Sequence, residues 1–526
     1  MSYYWTNKLY PEQIIVLKQI MGRHGTLLLG DVGTGKTLIA LAAIEQLKPE
    51  RVLIISPLTS LDLTWAPRLK KVSGLLTARG YAEYKMNAQA TSLALLLHYQ
   101  AASKDMRKLG KVPWDLVILD EAQGLKARNS GWSRMARYLR HAENRIAMTA
   151  TPMDDSPIDL WGLMRFVNHE VLGEHFKDFA DEYCRRGGFM GHNWIFRDKL
   201  LPDFLKQLEP HVSRLTKKFL DLPPLTVHLV GVDMRGEQRR IYDEVEKHGI
   251  VHFLNGPTIK APLAVTQQGK LEQITGGGIL YDEGDVHVFG YAKTRKLDTL
   301  LRKLRDKRPI VVSCKYLHEI PMIRKVMQNH MQVIKELHGA VKDERKDKAR
   351  TDLINEFQDG KIDGLILQVR TGGVSIELSK ASTLIMYSMN FSLIDFEQLI
   401  GRFHRGGQTE PVNVFIIHAK NSVDTKIVDD VETKHSGFYQ VVDYFENQED
   451  HMPKAKTTKT VKKAAKKTEN GEAPAFGVSH AAKAAGIGAA ALRVKFRKAG
   501  IKKYGKTYGW DSQKAMQADL KRADAS

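Results

Sequence analysis

One stretch near the N-terminus, residues 26–37, narrows the possible folds more than any other part of the chain. The apolar run Leu27–Leu29 predicts a short buried strand, and the run Leu38–Ile44 predicts a helix. Between them lies Gly-x-x-x-x-Gly-Lys-Thr, the P-loop pattern in the strand–loop–helix setting that it requires. A glycine-rich turn that binds nothing is the alternative, and the correct flanking elements disfavour it. The stretch therefore predicts a nucleoside-triphosphate site.

The residue types in this loop suit phosphate. The loop has three glycines, Gly30, Gly33 and Gly35. They let backbone N–H groups turn inward around phosphate oxygens, and the helix N-terminus adds partial positive charge. Lys36 can reach the β- and γ-phosphates, and Thr37 can ligate Mg²⁺. We expect ATP and Mg²⁺ as the cofactors.

Two residues upstream bear on the base of the nucleotide. Gln13 could read an adenine edge with its amide donor and acceptor, and Tyr10 could pack on the ring. Pro11 and Glu12 between them are also an ordinary start for the amphipathic helix that continues through Ile20, so this interpretation stays open.

A second chemical feature follows a buried strand. The apolar run 115–119 leads directly into Asp120 and Glu121, and runs 51–55 and 144–148 predict two further strands. Carboxylates at the C-terminal end of a parallel strand lie where open α/β sheets place their chemistry. We expect Asp120 to hold Mg²⁺, partly through water, and Glu121 to orient or deprotonate the attacking water.

A second alternating α/β pattern begins near residue 291, with strands predicted at 309–313, 364–369 and 383–387. It leads to Gln398, Arg402 and Arg405 on a predicted helix that ends at two glycines. The arginines are three residues apart, so they would share a helix face and could bind a γ-phosphate in the cleft. A pair of surface arginines is the alternative.

The length of the chain indicates that it contains several domains. At 526 residues with 43% hydrophobic content, the chain is too long for one core. We expect an α/β fold with two doubly wound parallel-sheet domains, a helical insertion and a small all-α C-terminal domain. The predicted boundaries are 1–165 for the first doubly wound domain, 166–290 for the insertion and connector, 291–445 for the second doubly wound domain, 446–474 for a basic flexible linker and 475–526 for a DNA-binding module.

The net charge of +20 is concentrated in the tail. Residues 451–526 hold 18 lysine and arginine residues against 5 aspartate and glutamate residues, a net of +13, which leaves +7 for the first 450 residues. That distribution indicates a nucleic-acid partner. Two cysteines, no apparent signal peptide and no membrane-length apolar run favour a cytoplasmic protein with no membrane partner.

The tail has a spacing of its own. Ala482, then Gly486 four residues later, then Leu492 six residues after that, is the spacing of a helix-turn-helix. The second predicted helix carries four cations suited to phosphate or groove contact, Arg493, Lys495, Arg497 and Lys498. A small basic helical domain that binds protein is the alternative.

Taken together, these motifs resemble a Swi/Snf-type ATPase of helicase superfamily two, over about residues 8–445. Residues 30–37, 120–123 and 149–152 match motifs I, II and III in order, with motif II in a DEAQ form. Ile54–Leu58, followed by Trp65, resembles motif Ia. The resemblance implies ATP between two RecA-like domains, arginine fingers at Arg402 and Arg405 with Gln398 heading that motif, and DNA contacts at Ser56, Pro57, Thr371 and Gly372.

The segments between the cores at residues 158–166, 179–184 and 222–224 resemble stretches peculiar to Swi/Snf-type enzymes. Two of them, the stretch ending in Tyr-Cys at 179–184 and Leu-Pro-Pro at 222–224, resemble the annealing-helicase branch most closely. The family's basic Arg-Arg-x-Lys stretch appears only loosely, at residues 213–218, and Ser375 and Glu377 depart from motif V. Small single-chain members of the family occur in bacteria and their viruses, so the resemblance implies the cytoplasm of a bacterial cell or of a virus-infected host.

These observations predict an ATP-dependent translocase or helicase that moves on or remodels duplex or branched DNA. An RNA-directed helicase is one alternative. An ATP-switched DNA-binding regulator without motor activity is the other, and the intact set of Lys36, Asp120, Glu121 and the two arginines argues against it.

Overall fold

The computed structural model describes residues 3–154, 156–187, 193–252, 258–260, 264–280, 286–338, 345–369, 377–390, 392–429, 441, 444–445, 476–477 and 509–510. It divides into two compact units, Met1–Met452 and Pro453–Ser526.

Within the described residues, the strands follow in chain order. They are β1 Gly25–Gly30, β2 Arg51–Ile55, β3 Leu76–Arg79, β4 Leu93–Leu97, β5 Leu116–Asp120, β6 Asn144–Thr149, β7 Cys184–Gly187, β8 Asn193–Phe196, β9 Val212–Leu215, β10 Leu225–Val232, β11 Ile250–His252, β12 Thr258–Lys260, β13 Gly278–Leu280, β14 Val286–Val288, β15 Ile310–Cys314, β16 Ile334–Leu337, β17 Gly364–Gln368, β18 Thr383–Met386, β19 Val412–Ala419, β20 Phe476–Gly477 and β21 Gly509–Trp510.

The α-helices are interleaved with these strands. They are α1 Pro11–Met21, α2 Lys36–Leu47, α3 Leu58–Ser60, α4 Ala66–Leu69, α5 Tyr81–Met86, α6 Tyr99–Lys104, α7 Met106–Leu109, α8 Gly131–Leu139, α9 Leu160–Val167, α10 His169–Leu172, α11 Phe176–Tyr183, α12 Leu201–Leu208, α13 Glu237–His248, α14 Ala264–Gly276, α15 Ala292–Lys303, α16 Glu319–Met327, α17 Arg345–Gln358 and α18 Leu393–Phe403.

The first lobe is built on a sheet of seven strands in the order β3-β4-β2-β5-β6-β1-β9, and every pairing in it is parallel. Strands β1, β4 and β5 are buried along their whole length, which explains their continuous apolar runs. The parallel register brings the C-terminal ends of β1, β5 and β6 to one edge. The P-loop and motif II therefore meet there.

The second lobe is a six-stranded parallel sheet in the order β10-β19-β18-β15-β17-β16. The two lobes share one hydrophobic cluster, which includes Leu27 of β1, Phe204 of α12 and Ile385 of β18. The prediction of two doubly wound parallel-sheet domains is confirmed.

Residues 166–290, predicted as a helical insertion, contain helices α10 to α14 and also strands. Two of these strands complete the sheets: β9 lies at the edge of the first sheet and β10 at the edge of the second. The chain between β9 and β10 therefore connects the two lobes directly at their edges, close to the P-loop.

Several predicted residues lie outside the described part of the chain. Thr371 and Gly372 are among them, and so is the predicted helix-turn-helix with Arg493, Lys495, Arg497 and Lys498. In the second unit the described residues are the antiparallel pair β20 and β21. Among the described residues, no helix has both the length and the apolar character needed to cross a membrane.

Candidate ATP site between the two lobes

The P-loop runs from the end of β1 to the start of α2, as predicted. Gly33 and Gly35 have φ values of 89° and 83°, a region that side chains with a Cβ rarely adopt. The Lys36 ammonium donates to the carbonyl oxygens of Gly30 at 2.7 Å and Asp31 at 3.2 Å. Burial lowers the pKa of Lys36, while the nearby Glu121 carboxylate raises it. Lys36 is thus held at the cradle where phosphate would lie.

Gln13 fastens helix α1 to this loop. Its Oε1 accepts a hydrogen bond from the Tyr10 backbone N–H at 2.9 Å, and its Nε2 donates to the Thr34 carbonyl at 2.7 Å. The side chain is 2% exposed. The Tyr10 ring is exposed and lies 5.3 Å from the ring of Phe219, centroid to centroid. The adenine contacts of Tyr10 and Gln13 stay predictions.

Asp120, at the end of β5, is buried and fixed by three donors. Its Oδ2 accepts from Ser56 Oγ at 3.0 Å and from Trp65 Nε1 at 2.9 Å, and its Oδ1 accepts from the Glu121 N–H at 3.1 Å. The Ser56 side chain, fully buried, is therefore engaged in the ATP site, where the resemblance implied a DNA contact. The half-buried Pro57 follows it.

Glu121 has a strained backbone, with φ 52° and ψ 51°. Its Oε2 accepts from Gln123 Nε2 at 3.0 Å and from Gln398 Nε2, on the second lobe, at 3.3 Å. Burial raises the pKa of Glu121, and the adjacent Asp120 carboxylate raises it further, whereas Lys36 lowers it. The carboxylate is thus held by one donor from each lobe.

A hydrogen-bonded line continues from Glu121 into motif III. The Thr149 hydroxyl donates to Gln123 Oε1 at 2.8 Å and accepts from the Thr151 N–H at 3.0 Å. Gln123 can serve both neighbours because an amide has a donor end and an acceptor end. The glutamine of the DEAQ form therefore links motif II to motif III.

Helix α18 of the second lobe packs directly on the P-loop. A Cβ added at Gly401 would lie 2.3 Å from Val32 Cβ, and one added at Gly33 would lie 2.7 Å from Arg405 Cβ. Both contacts need glycine. They bring the two predicted arginines to the nucleotide site, as the sequence indicated.

The prediction that these arginines share a helix face is wrong. Helix α18 ends at Phe403, and His404 adopts φ −96° and ψ 78°, so Arg405 lies in the following loop. The His404 ring nitrogen Nε2 lies 2.8 Å from the Pro223 carbonyl oxygen, which holds the chain away from helical geometry. Arg402 remains on the helix, and burial lowers its pKa to about 10.

Strand β9 and the connector after it supply residues to which the sequence analysis gave no role in the ATP site. Arg214 is buried and pairs with Asp31 of the P-loop at 2.5 Å, and the other Asp31 oxygen accepts the Lys217 N–H at 2.9 Å. The Lys217 ammonium donates to the His404 carbonyl at 2.8 Å. The loosely matched basic stretch was the available signal, but its position beside the P-loop depends on β9 pairing with β1.

A cavity of about 300 Å³ lies next to this connection. Its walls include Asp31 and Thr151 of the first lobe, Lys217 of the connector, and Val227 and Glu397 of the second lobe. The two lobes therefore meet around the P-loop without filling the space between them.

With this geometry in place, comparison with known proteins identifies the family. The SNF2-related domain family matches residues 13–279, and the helicase conserved C-terminal domain family matches residues 292–407. The chain belongs to the SNF2-related family. The predicted Swi/Snf-type class within helicase superfamily two is confirmed at this level.

Similar proteins come from bacteria and eukaryotes. The chain is 25% identical to the uncharacterized ATP-dependent helicase MG018 of Mycoplasma genitalium, over 77% of this chain and 39% of that protein. It is 26% identical to YwqA of Bacillus subtilis, over 80% of this chain and 46% of that protein. The chain thus spans less than half the length of these two relatives.

Among solved structures, the Sulfolobus solfataricus SWI2/SNF2 ATPase core in complex with dsDNA is similar. It is 23% identical, with a TM-score of 0.39, over 82% of this chain and 92% of that one.

Proposed function

We propose that this protein hydrolyses ATP in the cleft between its lobes and uses the cycle to move along or remodel DNA. One observation supports this above the others: Gln398 of the second lobe reaches Glu121 of the first at 3.3 Å, while Arg405 of the second lobe packs against Gly33 of the P-loop. A site that needs both lobes couples nucleotide state to their relative position.

The chemistry follows from the residues at the cradle. Lys36 binds the β- and γ-phosphates, and Arg402 and Arg405 stabilise the charge that builds on the transferred group. Glu121, once ionised, orients or deprotonates the attacking water. Its contact with Gln398 positions that carboxylate only when the lobes are together.

The oxygens near the P-loop suit Mg²⁺, a hard cation that prefers oxygen ligands. The Thr37 hydroxyl, in the first turn of α2, and the Asp120 carboxylate would hold it, in part through water because Asp120 already accepts three hydrogen bonds. Among the described residues no cluster of three or more His, Cys, Asp or Glu side chains could hold a metal, so the phosphates would complete its shell. Bound there, the ion neutralises phosphate charge.

DNA is the partner that the charge favours. The net charge of +13 over residues 451–526 provides a phosphate-binding arm, for which we propose a helix-turn-helix at 475–526. We also propose Thr371 and Gly372 as contacts of the motor itself. The sequence likeness of the inter-core segments to the annealing-helicase branch favours branch remodelling over processive unwinding of a long duplex.

The test is an ATPase assay of the full chain with single-stranded, duplex and forked DNA and with RNA in parallel. We expect stimulation by duplex or forked DNA. Stimulation by RNA alone would replace the DNA translocase with an RNA-directed helicase. Glu121→Gln keeps the shape of the side chain but removes its charge, so it should bind ATP and not turn it over. Turnover by this variant at the wild-type rate would refute the role of Glu121.

A further inference from the structure

A two-stranded ribbon that precedes β9 in the chain has a face that the ATP site does not use. Strands β7 and β8 pair antiparallel, with Arg185 opposite Ile195 and Gly187 opposite Asn193. These four alternate with residues of the other face, where Cys184 and Phe196 are buried. Arg185, Asn193 and Ile195 are exposed, and so is Arg197, which directly follows β8 and whose guanidinium also donates to the Glu182 carbonyl oxygen at 3.2 Å. We call these four exposed residues, Arg185, Asn193, Ile195 and Arg197, the outer face.

The ribbon stands on a rigid aromatic base. The Phe196 ring lies 5.2 Å from Phe204 and 6.3 Å from Tyr183, centroid to centroid. The Trp194 ring lies 6.2 Å from Phe176 and carries the Arg186 guanidinium at 3.7 Å from its centroid. Such packing fixes the orientation of the two strands. The outer face is therefore presented in a defined direction.

The same base reaches motif II. The Arg128 guanidinium lies 3.6 Å from the centroid of Phe176, and Arg128 follows the 3₁₀ turn Ala122–Lys126 that begins directly after Glu121. The ribbon is thus attached to the first lobe close to the hydrolytic residues.

The charge of the ribbon has one sign. Between residues 184 and 197 the chain has three arginines and neither aspartate nor glutamate. Exposed acids occur only at its edges, with Asp181 and Glu182 before it and Asp198 after it. A two-stranded β-ribbon has the width that the major groove of duplex DNA admits, and about half of protein–DNA hydrogen bonds go to phosphate or sugar.

We propose that the outer face of this ribbon contacts duplex DNA, with Arg185 and Arg197 on backbone phosphates, Ile195 against the groove wall and Asn193 towards base edges. This inference rests on the proposed function, because it assigns a DNA contact to a DNA motor. It concerns a surface separate from the tail and from the ATP cleft.

The test is duplex binding by the full chain without ATP, measured by fluorescence anisotropy at several salt concentrations. Arg185→Ala with Arg197→Ala removes two phosphate contacts, so the slope of log K against log salt should fall by about 1.8. When salt is raised from 50 to 200 mM, the duplex affinity of the variant should therefore fall by a factor about tenfold smaller than the factor by which the wild-type affinity falls. Arg185→Lys with Arg197→Lys keeps both charges and should keep the slope.

A matched control removes two exposed cations from elsewhere on the first lobe, Arg107→Ala with Lys111→Ala. It should leave the slope at the wild-type value. The proposal is overturned if the arginine pair variant, with wild-type circular dichroism and unfolding temperature, binds duplex like the wild type, which would instead indicate a protein-docking ribbon. An equal loss in the control pair would overturn it too.

The failure of this inference and the failure of the proposed function are distinguishable. If duplex DNA stimulates the wild-type ATPase and the ribbon variant binds normally, only the ribbon assignment falls. If no nucleic acid stimulates the wild type, the motor assignment falls. ATPase activity without DNA should stay unchanged in the ribbon variant, since neither arginine touches the ATP site.

Discussion

Replacing Lys217 by methionine tests whether the connector holds the two lobes in their working position. Methionine keeps most of the length and apolar volume of the side chain but removes its charge. The backbone N–H of residue 217 still donates to Asp31, so the P-loop keeps its support. The lost interaction is the 2.8 Å hydrogen bond from the ammonium to the His404 carbonyl, next to Arg405.

The size of the expected effect of Lys217→Met on the maximal rate follows from the kind of hydrogen bond that is lost. A hydrogen bond to a charged group contributes about 1.5–3 kcal/mol, and the Lys217 side chain that makes this bond is half-buried. If that energy favours only the arrangement with Arg405 on the P-loop, its loss lowers the maximal rate by about tenfold to a hundredfold, since about 1.4 kcal/mol is tenfold in rate. ATP binding to the first lobe should change little.

The assay is steady-state ATPase with saturating DNA, with kcat and KM for ATP measured separately. We expect a lower kcat, an almost unchanged KM, and partial recovery in Lys217→Arg. Lys218→Met, in the same 3₁₀ turn Lys217–Phe219, is the matched control for the loss of charge. A wild-type kcat in Lys217→Met, or a loss as large in Lys218→Met, would refute the argument.

Three further outcomes are expected. Gln123→Leu removes a hydrogen-bond donor that favours the ionised form of Glu121, so the pKa of Glu121 should rise further. Because Glu121 acts as a base only when it is ionised, the acid limb of the plot of kcat against pH should move to higher pH. An unmoved acid limb would contradict this expectation. Arg402→Ala should lower kcat by about a hundredfold to a thousandfold with a smaller effect on ATP affinity measured by nucleotide binding; a loss confined to affinity would be the wrong result. Removing residues 451–526 should raise the DNA concentration for half-maximal ATPase by about tenfold or more without lowering the saturated rate, and a fall in that rate instead would place the tail in the motor.

Seven strands of the two large sheets were predictable because each is a local, continuous apolar run, whereas β3, β4, β9, β10, β16 and β19 were not predicted. The run 51–55 was predicted and found as β2, and 144–148 became β6 with one further residue. Buried parallel strands need apolar residues on both faces, so their sequences stand out from amphipathic helices. The P-loop was equally visible, since its glycines and lysine must occur at fixed spacing.

The residues that complete the site were harder to predict, because their roles depend on contacts across the fold. Ser56 and Trp65 reach Asp120 only after β2 pairs with β5, and local sequence does not specify that pairing. Lys217 meets the second lobe only because β9 joins the first sheet. The sequence analysis wrongly predicted that Arg405 lies on the helix, because the local sequence does not show that His404 contacts the distant Pro223 carbonyl where the helix ends.

Glu121 connects these observations to mechanism. A non-glycine residue in the left-handed region costs about 1–3 kcal/mol, and such a residue persists only when its surroundings hold it there. Here its own N–H is held by Asp120, and its carboxylate is held by Gln123 from the first lobe and Gln398 from the second. Separating the lobes removes the Gln398 contact and leaves the carboxylate with one fewer donor. In the proposed mechanism the contact between the lobes therefore sets the position of Glu121, and hydrolysis would need both lobes in contact.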